Sequence, residues 1–333
     1  EAVPEKASIT SVLYENLKPS PDFQYLAYNI TVYDDDIVDE NWEGGHHSGV
    51  YSGGLYLLDL KTGKTSLVVK PIPAFQAEDG MGNNPEPGPW SRDGKVLCVW
   101  DKFQSGSMTA DGTACFFYHA DTGKRTEYGE YGGLLAYDEN ISFSGDGSAV
   151  VLGGGGRDMF ENKWLDYISD YSGSQMKYGV LEEIETAGLI PAMPRISADG
   201  ETLYFAAVEE QSLSRSYREG KFPGWDYSSV YPLKRQLYSM KLSGDRQTVS
   251  ITSDPEYRCE SPDLHGNEKY LVFGRGSAKE YDGKMEIWMT SVDGKQETKL
   301  AEWTEPADAD VWMTDRYDDY YGRGGWSGIF TVY

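Results

Sequence analysis

Apolar and polar positions alternate in short runs along this chain, and the runs come in pairs. Alternation sends successive side chains to opposite faces, so each run predicts a β-strand. The pairs are Tyr25 to Val32 with Leu55 to Asp59, Lys95 to Trp100 with Cys115 to His119, Ala149 to Leu152 with Trp164 to Ser169, Thr202 to Val208 with Gln236 to Leu242, and Tyr270 to Phe273 with Glu286 to Ser291. A turn precedes each pair: Ser20-Pro-Asp-Phe, Ser91-Arg-Asp-Gly, Ser144-Gly-Asp-Gly, Ser197-Ala-Asp-Gly and Ser261-Pro-Asp-Leu. A second turn follows it: Thr62-Gly63-Lys64, Thr122-Gly123-Lys124, Ser172-Gly173-Ser174, Ser243-Gly244-Asp245 and Asp293-Gly294-Lys295. Asp supplies a local acceptor at such places and Gly takes positive φ. The Asp of the first turn recurs at 22, 93, 146, 199 and 263, at intervals of 71, 53, 53 and 64. Each repeat predicts four strands, A to D, joined by tight A–B and C–D turns.

A four-stranded sheet cannot bury both faces alone, and radial stacking on neighbouring sheets solves this. The fold class is therefore all-β, with repeats near 13–70, 88–130, 139–181, 193–252 and 259–301 in one domain over 1–333. Asp310 to Asp315 reads as a further strand A and Trp326 to Tyr333 as a strand B. With Ala7 to Val12 as an outer strand, segments 1–12 and 302–333 predict a composite closing sheet. Phe160, Trp164 and Ile168 have helical spacing. The second half of Asp158 to Tyr171 still reads as strand, because it precedes Ser172-Gly173. Val180 to Leu189 predicts a short helix in a connection.

The turn [WFI]-S-x-D-G, an apolar strand, a second apolar strand ending in Asp and then T-G-K together resemble the TolB-like, or WD40-like, β-propeller repeat. The pattern is similar to the propellers of prolyl oligopeptidases and dipeptidyl peptidases, and it covers roughly residues 13–300. The resemblance implies a β-propeller of four-stranded antiparallel blades, here six, closed by N- and C-terminal strands. It also implies an exported bacterial protein that acts as a binding or scaffold module. The peptidases carry catalysis on a separate α/β-hydrolase domain, which nothing in this sequence encodes.

Composition narrows the partners. Of 333 residues, 39% are hydrophobic and 14% aromatic, enough for a packed core, and the 25 Tyr and 38 Gly favour strands and turns. The net charge of −24 repels phosphate backbones, so nucleic acid and anionic membrane are poor partners. No run approaches the ~18 apolar residues of a membrane span. The opening EAVPEKAS, without Met, reads as a processed N-terminus, so a periplasmic, cell-surface or secreted location is expected. The three cysteines, Cys98, Cys115 and Cys259, fit no zinc spacing. Cys98 and Cys115 fall on adjacent strands of one hairpin. They read as small buried apolar residues, or as a cross-strand disulfide if they face each other.

The long segments are all B–C or D–A connections: Tyr33 to Gly53, Val69 to Gly88, Asp101 to Thr113, Gly153 to Lys163, Glu209 to Lys234 and Arg275 to Lys284. In a propeller these leave from one end, which places a binding surface there. They and the C-terminal segment carry the candidate ligand-binding residues Trp42, His46, His47, Arg157, Arg215, Arg218, Trp225, Trp312 and Arg316. Aromatic faces with guanidinium groups suit a protein or a glycan: the rings cover apolar faces, and the charges fix hydroxyls or termini. His46 and His47 beside the acidic run from Asp34 are the weak candidates for a metal. Adjacent histidines on a strand point apart, so no metal and no cofactor is expected. Oligogalacturonate lyases use a histidine-rich metal centre, and this chain has only His46, His47, His119 and His265. No G-x-S-x-G elbow occurs, and Gly153 to Arg157 lacks the Lys-Ser/Thr of a phosphate loop. No catalytic residue is identified. The reading is non-enzymatic binding; the alternative is a glycosidase or polysaccharide lyase using carboxylates on the same end.

Overall fold

The computed structural model of the chain describes residues 9–34, 49–72, 83–103, 113–128, 138–154, 164–170, 177–209, 235–279 and 284–304. They form five four-stranded antiparallel sheets, each with its strands paired in chain order. The first sheet holds β1 (Ile9–Pro19), β2 (Tyr25–Asp34), β3 (Gly49–Asp59) and β4 (Thr65–Val69). The second holds β5 (Asn83–Trp90), β6 (Val96–Phe103), β7 (Thr113–His119) and β8 (Lys124–Tyr128). The third is β9 (Ile141–Phe143), β10 (Val150–Gly154), β11 (Trp164–Asp170) and β12 (Lys177–Val180). The fourth is β13 (Leu189–Ile196), β14 (Thr202–Glu209), β15 (Gln236–Lys241) and β16 (Thr248–Ser250). The fifth is β17 (Tyr257–Leu264), β18 (Tyr270–Ser277), β19 (Lys284–Ser291) and β20 (Glu297–Thr304). The predicted short helix is α1 (Glu182–Thr186). No described helix is long and apolar enough to cross a membrane.

The sheets fall into two compact units, the first and second sheets in one and the other three in the second. In the first unit, Ala27, Leu55 and Leu57 share a core with Leu97, Val99 and Phe116. Trp90 stacks on Tyr25 with ring centroids 6.2 Å apart, and its Nε1 donates to the Lys18 carbonyl at 3.2 Å. In the second unit, β14 shows why its sequence is almost continuously apolar. Leu203, Phe205 and Ala207 face a core shared with Val151 and Leu165 of the third sheet. Tyr204 and Ala206 face one shared with Cys259, Leu271 and Phe273 of the fifth. A strand buried on both faces has no polar side to show.

The tight turns follow the chemistry of the motif. Ser91 Oγ donates to Asp93 Oδ1 at 2.7 Å and accepts from the Val96 N–H at 2.9 Å, and the Lys95 N–H reaches the same carboxylate at 3.2 Å. The same bonds recur around Ser20, Ser144 and Ser197. Gly94, at φ 72°, closes this turn. At the corresponding place Phe23 sits at φ 56°, a left-handed conformation that L side chains disfavour.

The fifth first-type turn lies four residues beyond the expected Ser261-Pro-Asp-Leu. It is His265-Gly-Asn-Glu268: His265 N–H pairs with Tyr270 O, Glu268 N–H with His265 O, and Lys269 N–H with Asn267 Oδ1. Ser261, at φ 51°, is instead part of a bulge within β17, where the register shifts between Glu260 and Asp263. Comparable shifts interrupt β1, β5 and β13. A bulge and a turn draw on the same residue types, which explains the misplacement. Other boundaries differ as well. Ile9 to Val12, expected in a closing sheet, pair with β2 of the first sheet. Asn83 to Gly88, expected in a connection, belong to β5, an edge strand where Pro85 and Pro87 need donate no ladder bond.

The turn aspartates set a pH dependence. The Ser20 hydroxyl holds the Asp22 carboxyl below the usual range, the Ser148 N–H does so for Asp146, and the Ser197 hydroxyl for Asp199. A folded-state value below the unfolded one contributes stability that is complete above about pH 4 and is lost as the pH falls through the folded value. Asp199→Asn is expected to lower the urea midpoint at pH 7 by no more than about 1 kcal/mol equivalent, since the group is exposed. The gap from the wild type should close at acid pH. A gap that persists unchanged below the aspartate range would rule out the carboxylate as its source.

Candidate functional site

Because each sheet pairs its strands in order, its B–C and D–A connections leave from one end and its tight turns from the other. All nine residues expected to bind ligand, Trp42, His46, His47, Arg157, Arg215, Arg218, Trp225, Trp312 and Arg316, lie outside the described residues. The strand ends that carry these connections are described, and in the second unit they gather arginines.

β17 opens Tyr257-Arg258-Cys259-Glu260, and strand alternation puts Arg258 and Glu260 on one face. Glu260 accepts from Arg258 Nε at 2.9 Å and from Arg235 Nη1 at 3.2 Å. Arg235, Arg258 and Glu260 are all within 1% of full burial. Arg235 precedes β15, and its carbonyl accepts the Cys259 N–H at 2.9 Å, so the cluster ties the fourth sheet to the fifth. Gly276 lies opposite Arg258 in the ladder, and a Cβ there would stand 3.1 Å from Arg258 Nε. The missing side chain is what lets the guanidinium lie against β18.

Arg275, at the neighbouring end of β18, is held by two aromatic rings. Its guanidinium carbon is 4.0 Å from the Tyr257 ring centroid and 4.6 Å from that of Trp288. Its Nη2 reaches Asp254 at 3.0 Å and its Nη1 reaches Glu297 at 3.3 Å. Trp288 Nε1 donates to Glu286 at 2.7 Å, and Lys299 bridges Glu286 and Glu302. Burial opposes ionisation of Glu286, but the Lys299 and Trp288 donors outweigh it and hold the carboxyl below its ordinary value. Lys279 pairs with Glu256 at 2.6 Å.

Between these groups lies an open cleft of about 370 Å³, bordered by Tyr257, Arg275, Lys279, Lys284, Glu286 and Glu302. It offers ammonium donors, carboxylate acceptors and an aromatic edge on one short stretch of sheet. Such a surface can fix hydroxyls, amides or opposite charges of a ligand. Among the described residues no three His, Cys, Asp or Glu are grouped to hold a metal ion. Burial pushes the Cys259 thiol up to about 12, so it supplies no thiolate. Burial also lowers the His119 imidazole, which sits in β7. His265 occupies the turn end of the fifth sheet, away from the cleft's end. Sequence reasoning did not find Arg235, Arg258, Glu260 or Arg275. The available signal was the charged pair at i and i+2 inside β17, and the Arg that interrupts the apolar run Tyr270 to Gly274.

No family model matches the chain, and no curated protein matches it. Solved structures do resemble it. A putative dipeptidyl aminopeptidase IV from Bacteroides ovatus is 14% identical with a TM-score of 0.50, over 92% of this chain and 44% of that one. Prolyl oligopeptidase B from Galerina marginata is 15% identical with a TM-score of 0.50, over 87% of this chain and 36% of that one. A putative TolB from Agrobacterium tumefaciens is 16% identical with a TM-score of 0.44, over 89% of this chain and 83% of that one. The chain therefore spans less than half the length of the two peptidases. At these identities the likeness is one of fold alone: repeated four-stranded antiparallel sheets, as in the β-propellers of prolyl oligopeptidase-type proteins.

Proposed function

We propose that this chain is a recognition propeller, acting outside the cytoplasm, that holds a protein or glycan ligand at the connection-bearing ends of its blades and does not turn it over. The observation that carries this reading is the cleft on the fifth sheet, with ammonium and carboxylate groups around an aromatic edge at that end. The loop residues with the same chemistry, Trp42, Arg157, Arg215, Arg218, Trp225, Trp312 and Arg316, are proposed as further ligand contacts. His46 and His47 are likewise proposed as ligand contacts and not as metal ligands. Six blades and an exported location belong to the same proposal. The blade count rests on the strand-like pattern of Asp310 to Asp315 and Trp326 to Tyr333, and the location on the resemblance of the repeat to TolB-like propellers.

A glycan array, read together with a turnover assay on the best binders, tests the proposal. Binding without turnover is expected. Lys279→Ala and Glu302→Gln change exposed cleft residues and should each weaken the captured ligand about tenfold, the equivalent of 1.4 kcal/mol, with an unchanged thermal midpoint. Turnover of a bound saccharide would replace the reading with the carbohydrate-active alternative. An empty array would leave a protein ligand as the remaining class.

A further inference from the structure

Cys98 on β6 and Cys115 on β7 bring their sulfurs to 3.4 Å in the first unit. The ladder places Cys98 opposite Phe117 and Cys115 opposite Trp100, so the two cysteines are diagonal neighbours on one face of the second sheet. Both are within 1% of full burial, and the chain between them contains the connection from β6 to β7. Nothing in the ligand site described above uses them. We propose that Cys98 and Cys115 are a redox pair that closes into a cross-strand disulfide when the chain folds in an oxidising compartment.

The chemistry is thiol–disulfide exchange with an oxidant of the disulfide class. One cysteine thiolate attacks a sulfur of the oxidant, whose S–S bond breaks and releases one thiol. The second cysteine thiolate attacks the resulting mixed disulfide, forms the Cys98–Cys115 bond and releases the second thiol. The two protons lost by the cysteines end on the two released thiols, and the oxidant takes two electrons from the pair. Because both sulfurs are buried, exchange belongs to the folding or opened hairpin, and the native thiols react slowly. Diagonal positions lie about 7–8 Å apart at Cα, slightly beyond the usual disulfide span, so closure must draw β6 and β7 together. A bond under such strain is readily reduced, and it makes the pair a reversible staple at the root of a ligand-end connection. Cys259 stands apart as a counting reference, buried in another sheet with its thiol pushed up to about 12.

Refolding the full chain in a mixture of reduced and oxidised glutathione tests this. Thiol titration in denaturant should find one reactive thiol where the fully reduced chain has three, and proteolysis should yield a peptide linking Cys98 to Cys115. The oxidised form should resist urea better, and dithiothreitol should restore all three thiols. Cys98→Ser should titrate two thiols in both conditions. Three thiols after oxidative refolding, a stable glutathione adduct in place of the link, or a link through Cys259 would each overturn the proposal. The wild-type peptide map decides the question even where Cys98→Ser does not fold.

Discussion

Glu260→Gln is expected to destabilise the protein by about 3–5 kcal/mol, the cost of breaking a buried ion cluster from one side. Glu260 is the acceptor that Arg235 and Arg258 share, and it has no contact with solvent. Glutamine keeps the shape and one carbonyl acceptor, but removes the negative charge between two guanidinium groups that water cannot reach. The loss should appear as a lower urea midpoint with an unchanged slope, because the surface exposed on unfolding is the same. Glu302→Gln on the same sheet is the control. Its partner Lys299 is exposed, so it should move stability by no more than about 0.5 kcal/mol.

The comparison also tests what the cluster is for. A buried charge cluster is often no more stable than apolar residues of the same volume, so selection for stability alone does not account for it. Here the cluster sits where β15 and β17 meet, beside the strand end that carries Arg275 and the cleft. Its directional bonds fix Arg258 against Gly276 and hold the register at the root of the site. A variant with all three residues made apolar should therefore recover much of the stability that Glu260→Gln loses, while cleft-dependent binding stays weakened. Recovery of both would mean that the ion cluster has no part in shaping the cleft.

What the sequence made legible depended on how local the physics was. The turns at Ser91, Ser144 and Ser197 were readable because serine, aspartate and glycine all act within six residues. β14 was readable because burial on both faces leaves an uninterrupted apolar run. Ser261-Pro-Asp misled because a bulge uses turn residues, and the true turn replaces Asp by Asn267 and Gly by Glu268. β5 was hidden by its prolines, which only an edge position tolerates. The arginine cluster was beyond local reasoning. Arg235 and Glu260 lie 25 residues apart and meet only because the fourth and fifth sheets stack. Sequence reasoning placed function in the connections by length and composition; the residues it named there lie outside the described residues, and the cleft lies on strand ends of the fifth sheet.

Phe205→Ala is the other change with a large expected effect, about 3–5 kcal/mol, as befits deletion of a fully buried aromatic ring. Phe205 is 0% exposed and stacks on Tyr238 with ring centroids 5.9 Å apart. Around it are Val151 and Leu165 of the third sheet, Leu181 and Ile184 at α1, and Met240 of the fourth. These neighbours belong to regular strands and a helix whose backbones are already hydrogen-bonded, so they have little freedom to collapse into the space. Phe205→Leu should cost much less, because it keeps most of the buried volume. Trapping of a small apolar molecule such as benzene in the alanine variant, with partial recovery of the thermal midpoint, would identify the loss as a dry cavity. A loss below about 1 kcal/mol for Phe205→Ala would mean that the third and fourth sheets do not share this core. The radial stacking inferred from the repeat would then fail between these two sheets.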